Sequence, residues 1–289
     1  MIERLNFYDV YGYLIPGLVL VTLIWLPYGL TDGALVSIDW SSALLALVFS
    51  YIAGHLIQGL ARVALPSTRK DKNGESRYPS DILLDDGGES LSPEVKSCLV
   101  RRIQDQFGID VTNARNEDPE IRRRHRLDAF MLCRRVLIQK GVASYAEQFE
   151  GMYALMRGVT TATIFGVSYY IGLLIRSQVG FMDTTIKAWF LPAAVIDMFV
   201  ILILAISSLN LKAPGRKQLV QRWLFWLITA LLFLLAVLVA PDKAHWVNSP
   251  STLFYICFTL AFVSLRSYGA YHEFSRRFAE TVYRDFCAL

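Results

Sequence analysis

The sequence predicts an all-α protein: a polytopic transmembrane helical bundle of about six spans with a small helical cytoplasmic domain. Three observations predict it. Apolar stretches of about 20 residues, long enough to cross a bilayer, recur six times along the 289-residue chain. The chain is 54% hydrophobic and its mean hydropathy is +0.38, above the roughly 45–50% apolar content of ordinary soluble domains. Lysine and arginine fall almost entirely on one side once these stretches are threaded in alternation.

The stretches cover residues 13–30, 41–61, 158–175, 188–211, 223–241 and 247–265. None contains Asp, Glu, Lys or Arg except the fourth, which holds Asp197. At 1.5 Å per residue each spans the roughly 30 Å hydrocarbon layer. The first lacks a preceding basic run and a following small-residue cleavage site, and it carries Pro16 and Pro27, so it reads as a retained helix and not a signal peptide. Prolines there are tolerated because neighbouring helices can satisfy the carbonyls they free.

With the N-terminus inside, only Arg176, Lys187 and Lys243 fall outside, and the remaining 26 of 29 basic residues fall inside. Long loops count weakly in this rule, but without the long segment the split is still nine to three, so both termini are expected to be cytoplasmic. The chain then divides into residues 1–64 (spans 1 and 2), 65–156 (cytoplasmic helical domain), 157–268 (spans 3 to 6) and 269–289 (C-terminal amphipathic helix). The four cysteines, Cys98, Cys133, Cys257 and Cys287, show no paired spacing and are expected as free thiols.

Within 65–156, residues 66–92 are rich in Gly, Ser and Asp and read as loop. Ser92 and Pro93 open a helix stopped by Gly108, a second helix runs from Pro119 to Gly141, and a third starts at Ser144 and continues into the third span. The final segment places Tyr271, Phe274, Phe278, Val282 and Phe286 on one face; that face fits the soluble segment, the membrane surface or a partner subunit.

Asp197, near the middle of the fourth stretch, is the sharpest chemical signal. A carboxylate there costs about 2.5–3.5 kcal/mol, which points to a pore-lining or proton-carrying group, or to a neutral carboxyl hydrogen-bonded to a neighbouring helix. On the second stretch Tyr51, His55, Gln58 and Arg62 follow one another at helical spacing and form a polar stripe. Such a stripe faces water or makes interhelical hydrogen bonds, and Arg62 alone can reach the interface by extending its stem. Gly158, Ala162 and Gly166 form a small-residue face suited to close helix packing, with Thr160 and Thr163 beside it.

The run Arg122, Arg123, Arg124, His125, Arg126 suits a phosphate-bearing, nucleotide-type ligand; attraction to anionic lipid or a solvated helix face is the plainer account of it. Asp81, Asp85, Asp86 and Glu89 lack the spacing of a calcium loop, and the four histidines are dispersed, so no metal is expected. No phosphate-binding, dinucleotide, zinc-protease or hydrolase motif occurs, so neither enzymatic activity nor a cofactor is expected.

At Phe7-Tyr8-Asp9, Tyr13-Leu14-Ile15-Pro16-Gly17 and Gly54-His55-x-x-Gln58 the chain resembles uncharacterised bacterial multi-spanning membrane proteins, some of which sit among anti-phage defence genes as membrane effectors. The resemblance covers about a fifth of the chain and implies a bacterial inner-membrane home and an effector or channel role. The expectation is a homo-oligomeric channel or pore-forming effector gated by a cytoplasmic signal, with Asp197, His55, Gln58, Tyr51 and Arg62 at pore or gate and Arg122, Arg123, Arg124 and Arg126 sensing a ligand. A membrane scaffold recruiting a cytoplasmic protein and a proton-coupled transporter are the alternatives.

Overall fold

The computed structural model describes residues 8–31, 34–35, 39–65, 69–70, 76–84, 91–112, 119–178, 214–239 and 249–289. These are helical apart from short connections and two antiparallel pairs of two-residue strands. A single stretch of wide helix, Asp9–Leu14, leads into α1 (Ile15–Gly29). The other helices are α2 (Trp40–Ala64), α3 (Pro79–Leu84), α4 (Pro93–Phe107), α5 (Pro119–Gln139), α6 (Ser144–Gln178), α7 (Pro214–Val239) and α8 (Pro250–Ala288).

Among the described residues, four helical segments are long and apolar enough to cross a membrane: Asp9–Gly29, Trp40–Ala64, Tyr145–Ser177 and Pro250–Ala288. A fifth apolar segment, Trp223–Val237, is shorter. The expected span at 188–211, with Asp197, lies outside the described residues. Large apolar side chains on α2 (Leu44, Phe49, Ile52, Leu56) and α8 (Phe258, Leu265) are more than half exposed, which is compatible with a lipid environment.

The chain forms two compact units. The first takes Met1–Tyr8, Pro66–Ala154 and Ala270–Leu289. Its core joins Leu99 and Ile103 of α4, Cys133 and Leu137 of α5, and Val282 and Phe286 of α8. The C-terminal amphipathic face therefore packs on the 66–154 segment. It is not a separate helix, because 269–288 continues α8 without a break, and no proline lies between Leu265 and Tyr271. Local signals set the short helices. Ser92 Oγ accepts from the Val95 N–H at 3.4 Å. Gly108 and Gly141 take φ of +69° and +70°, left-handed conformations that glycine adopts without a Cβ clash.

The second unit takes Asp9–Leu65 and Leu155–Gly269. Within it α1 and α2 approach closely. A Cβ on Gly17 would lie 1.7 Å from the Ser50 carbonyl oxygen, and one on Gly54 1.9 Å from the Tyr13 carbonyl oxygen. Only glycine at both positions lets the backbones approach this far. The small-residue face of α6 packs on α1. Gly158 faces Pro16, Ala162 is fully buried, and Gly166 faces Leu23. Thr160, Thr161 and Thr163 are buried and return their hydroxyls to carbonyls of their own helix. On α6 again, Ser168 Oγ donates to the Thr229 carbonyl of α7 at 2.7 Å.

Candidate functional site

The two prolines of α1 organise the polar interior of the second unit. Proline has no N–H, so within a helix it leaves the carbonyl four residues earlier without its usual donor. For Pro27 that carbonyl belongs to Leu23; Gly12, in the wide turn, stands four residues before Pro16. Both carbonyls are taken up by side chains from other helices. Gln58 Nε2 of α2 donates to the Gly12 oxygen at 2.7 Å. The Tyr170 hydroxyl of α6 donates to the Leu23 oxygen at 3.1 Å.

Gln58 then makes a second connection. Its Oε1 accepts from Arg157 Nε at 3.0 Å and from Arg157 Nη2 at 2.7 Å. The amide orientation follows from chemistry, since a guanidinium only donates and a carbonyl only accepts. Gln58 and Arg157 are 1% and 5% exposed, so these bonds are made away from water, where an unmet charge is expensive. Gly158, next to Arg157, gives the amide room: a Cβ there would stand 2.8 Å from Gln58 Nε2 and 2.6 Å from Pro16 Cγ. One glutamine thus ties the wide turn before α1, α2 and α6 at a single point.

Beside this network, Tyr13 stacks on His55 with ring centroids 3.8 Å apart and planes 17° apart. Tyr51 meets His55 edge-on at 4.7 Å. His55 and Tyr51 are exposed, as is Arg62. The polar residues of α2 thus divide: Tyr51, His55 and Arg62 stay on the outer side, and Gln58 turns into the bundle. Tyr13, Pro16, Gly17, Gly54, His55 and Gln58, which carry the short motifs of the first two spans, converge here. Asp197 lies outside the described residues.

The arginines of α5, in the first unit, do not converge. Arg126 is buried and donates from Nη1 to the Asp81 carbonyl oxygen at 3.0 Å. Arg123 and Arg124 are exposed and pair with Glu120 at 3.3 and 3.4 Å. Arg122 is half-buried. Burial is the main influence on Asp81, lifting its carboxyl above the usual range; the Tyr78 N–H and the cations of Arg126, Arg77 and Arg123 oppose it. Of the acidic group, Asp85, Asp86 and Glu89 lie outside the described residues. Among the described residues no cluster of His, Cys, Asp and Glu is arranged to hold a metal ion. Cys133 is fully buried, and desolvation pushes its thiol up to about 12.

Arg157 was not among the residues singled out by sequence, where it reads as an ordinary basic residue at the edge of an apolar stretch. A signal was available. Gln58 lies near the end of the 41–61 stretch and Arg157 just before the 158–175 stretch, so antiparallel threading puts both at the same end of the bundle. No protein-family model, curated protein or solved structure matches the chain.

Proposed function

We propose that the protein is a homo-oligomeric membrane channel, a pore-forming effector opened by a cytoplasmic signal. Its setting is a bacterial inner membrane, crossed six times with both termini in the cytoplasm. The observation that carries the reading is the buried contact between Arg157 and Gln58. An ionisable residue buried among apolar helices marks function by default, and this one is held by hydrogen bonds that a small rotation of α6 would break.

In this reading α6 is the transmitter. It is one uninterrupted helix of 35 residues whose first turns the sequence assigns to the cytoplasmic domain and whose later turns cross the membrane. Gln58 is the latch, not the pore wall. In this reading His55 and Tyr51, on the outer side of α2, and Asp197 are the pore-facing residues. The likeness of the first two spans to membrane effectors adds anti-phage defence as the setting.

The test is ion flux from proteoliposomes with and without candidate nucleotides. The reading expects flux that the Asp197→Asn, His55→Ala double variant reduces. No flux under any condition, or flux indifferent to that double variant, removes it.

A further inference from the structure

All four cysteines are free thiols, and their spacing along the chain pairs none of them. The fold of the first unit brings two together. Cys98 lies on α4, and Cys287 lies in the last turn of α8, which ends at Ala288. Their side chains are hydrogen-bonding neighbours. The contact belongs to a longer seam between the two elements. Cys287 Sγ donates to the Val95 carbonyl oxygen, one turn before Cys98, at 4.0 Å. Arg102 Nη1, one turn after Cys98, donates to the Phe286 carbonyl oxygen at 3.0 Å. Farther along α4, Phe107 stacks on Phe286 with ring centroids 5.7 Å apart. α4 therefore grips the end of α8 on both sides of the thiol pair. Both thiols are half-buried, so a small oxidant reaches them, whereas Cys133 of α5 is fully buried.

We propose that Cys98 and Cys287 are a peroxide-sensitive dithiol that closes to a disulfide, a modification site that fastens the end of α8 to α4. The oxidant is a hydroperoxide, here hydrogen peroxide. The sulfur of one thiol attacks a peroxide oxygen: an S–O bond forms, the O–O bond breaks, and water leaves a sulfenic acid behind. The second sulfur then attacks the first: the S–S bond forms, the S–O bond breaks, and the hydroxide leaves as water with the second thiol's proton. Two thiols and one peroxide give one disulfide and two waters, and two electrons pass from sulfur to oxygen. A disulfide holds its Cα atoms about 4.4–6.8 Å apart, and Cys287 stands in a closing helical turn, where the backbone adjusts most readily. In a reducing compartment small thiols reopen the bond by exchange, so the modification is reversible. It requires neither conduction nor a membrane, only the packing of α4 on the end of α8.

The experiment is hydrogen peroxide treatment of the full native chain in detergent, after a reductant has been removed. Remaining thiols are alkylated under denaturing conditions, and the digest is read by mass spectrometry without reduction. The expected result is a linked peptide pair joining Cys98 to Cys287, lighter by two hydrogens than the separate peptides and abolished by dithiothreitol. Cys133 should be recovered alkylated. Cys98→Ser and Cys287→Ser should each remove the linked pair, and the unoxidised native chain should lack it. Recovery of Cys98 and Cys287 on separate peptides after peroxide, as alkylated thiols or as sulfinic acids, overturns the proposal. So does a bond from either one to Cys133 or to a second chain. The native chain supplies the deciding readout, so a serine variant that fails to fold leaves the test intact. Ion flux plays no part in it, so failure of the channel reading leaves this result standing, and the reverse.

Discussion

Replacing Gln58 by leucine should be among the most destabilising single changes in the second unit that alter side-chain volume little. The side chain is 1% exposed, accepts from Arg157 Nε and Nη2, and donates to the Gly12 carbonyl. Bonds to a charged group contribute about 1.5–3 kcal/mol, and an interhelical bond to a carbonyl in a membrane protein about 0.6–2 kcal/mol. Counting the two bonds from the single Arg157 guanidinium as one contact, the lower half of each range gives a loss of about 3 kcal/mol. At 2–4 °C per kcal/mol that lowers Tm by roughly 6–12 °C. The assay is thermal unfolding in detergent, followed by tryptophan fluorescence.

Two further variants separate the contributions. Gln58→Glu keeps and strengthens the contact with Arg157 but cannot donate to Gly12, so it should cost less than Gln58→Leu. Arg157→Met combined with Gln58→Leu removes the buried charge together with its acceptor. The double variant should therefore be less destabilised than the sum of the singles, with a coupling of about 1.5–3 kcal/mol. A Gln58→Leu protein within about 0.5 kcal/mol of the native one, the scatter of ordinary surface changes, would refute the reasoning. Strict additivity in the cycle would refute it equally.

Three other outcomes follow from the same geometry. Tyr170→Phe leaves the Leu23 carbonyl without the hydroxyl that replaces the donor missing at Pro27, and should cost about 0.6–2 kcal/mol in the same melt; Pro27→Ala, which restores the N–H, should offset part of that loss. Asp81 binds its proton more tightly folded than unfolded, because burial raises its pKa above 3.8. The stability associated with its protonated form is fully present below 3.8 and is lost as pH rises through the folded value, so Asp81→Asn, neutral throughout, should gain on the native chain over that window in pH-dependent melts. Cys133, with a pKa pushed up to about 12, should resist maleimide at pH 8 in the folded chain and react once it is unfolded, as peptide mass spectrometry would show.

The parts of this fold that depend on local pattern were readable from the chain. Residues 13–29, 41–61, 158–175 and 250–265 of the uncharged stretches fall on helices long enough to cross a membrane, and Ser92, Gly108 and Gly141 bound helices by local backbone chemistry. The candidate site was only half legible. Tyr51, His55, Gln58 and Arg62 repeat at helical spacing, but that spacing cannot say which of them a neighbour covers, and α1 and α6 draw Gln58 inward while leaving His55 outside. The Gly12 carbonyl before Pro16 and the carbonyl freed by Pro27 follow from counting back four residues. Their donors do not, because Gln58 and Tyr170 reach them across 46 and 147 residues of sequence. Arg157 was hidden for the same reason: its acceptor stands 99 residues away.

The most direct measurement of the central claim is a planar-bilayer recording of the native chain beside Gln58→Ala. If the tie between Gln58 and Arg157 holds a conducting bundle shut, the native protein opens seldom without a signal, and the variant conducts with the same unit conductance but a higher open probability. A variant as silent as the native chain, while still folded and inserted, would contradict the latch.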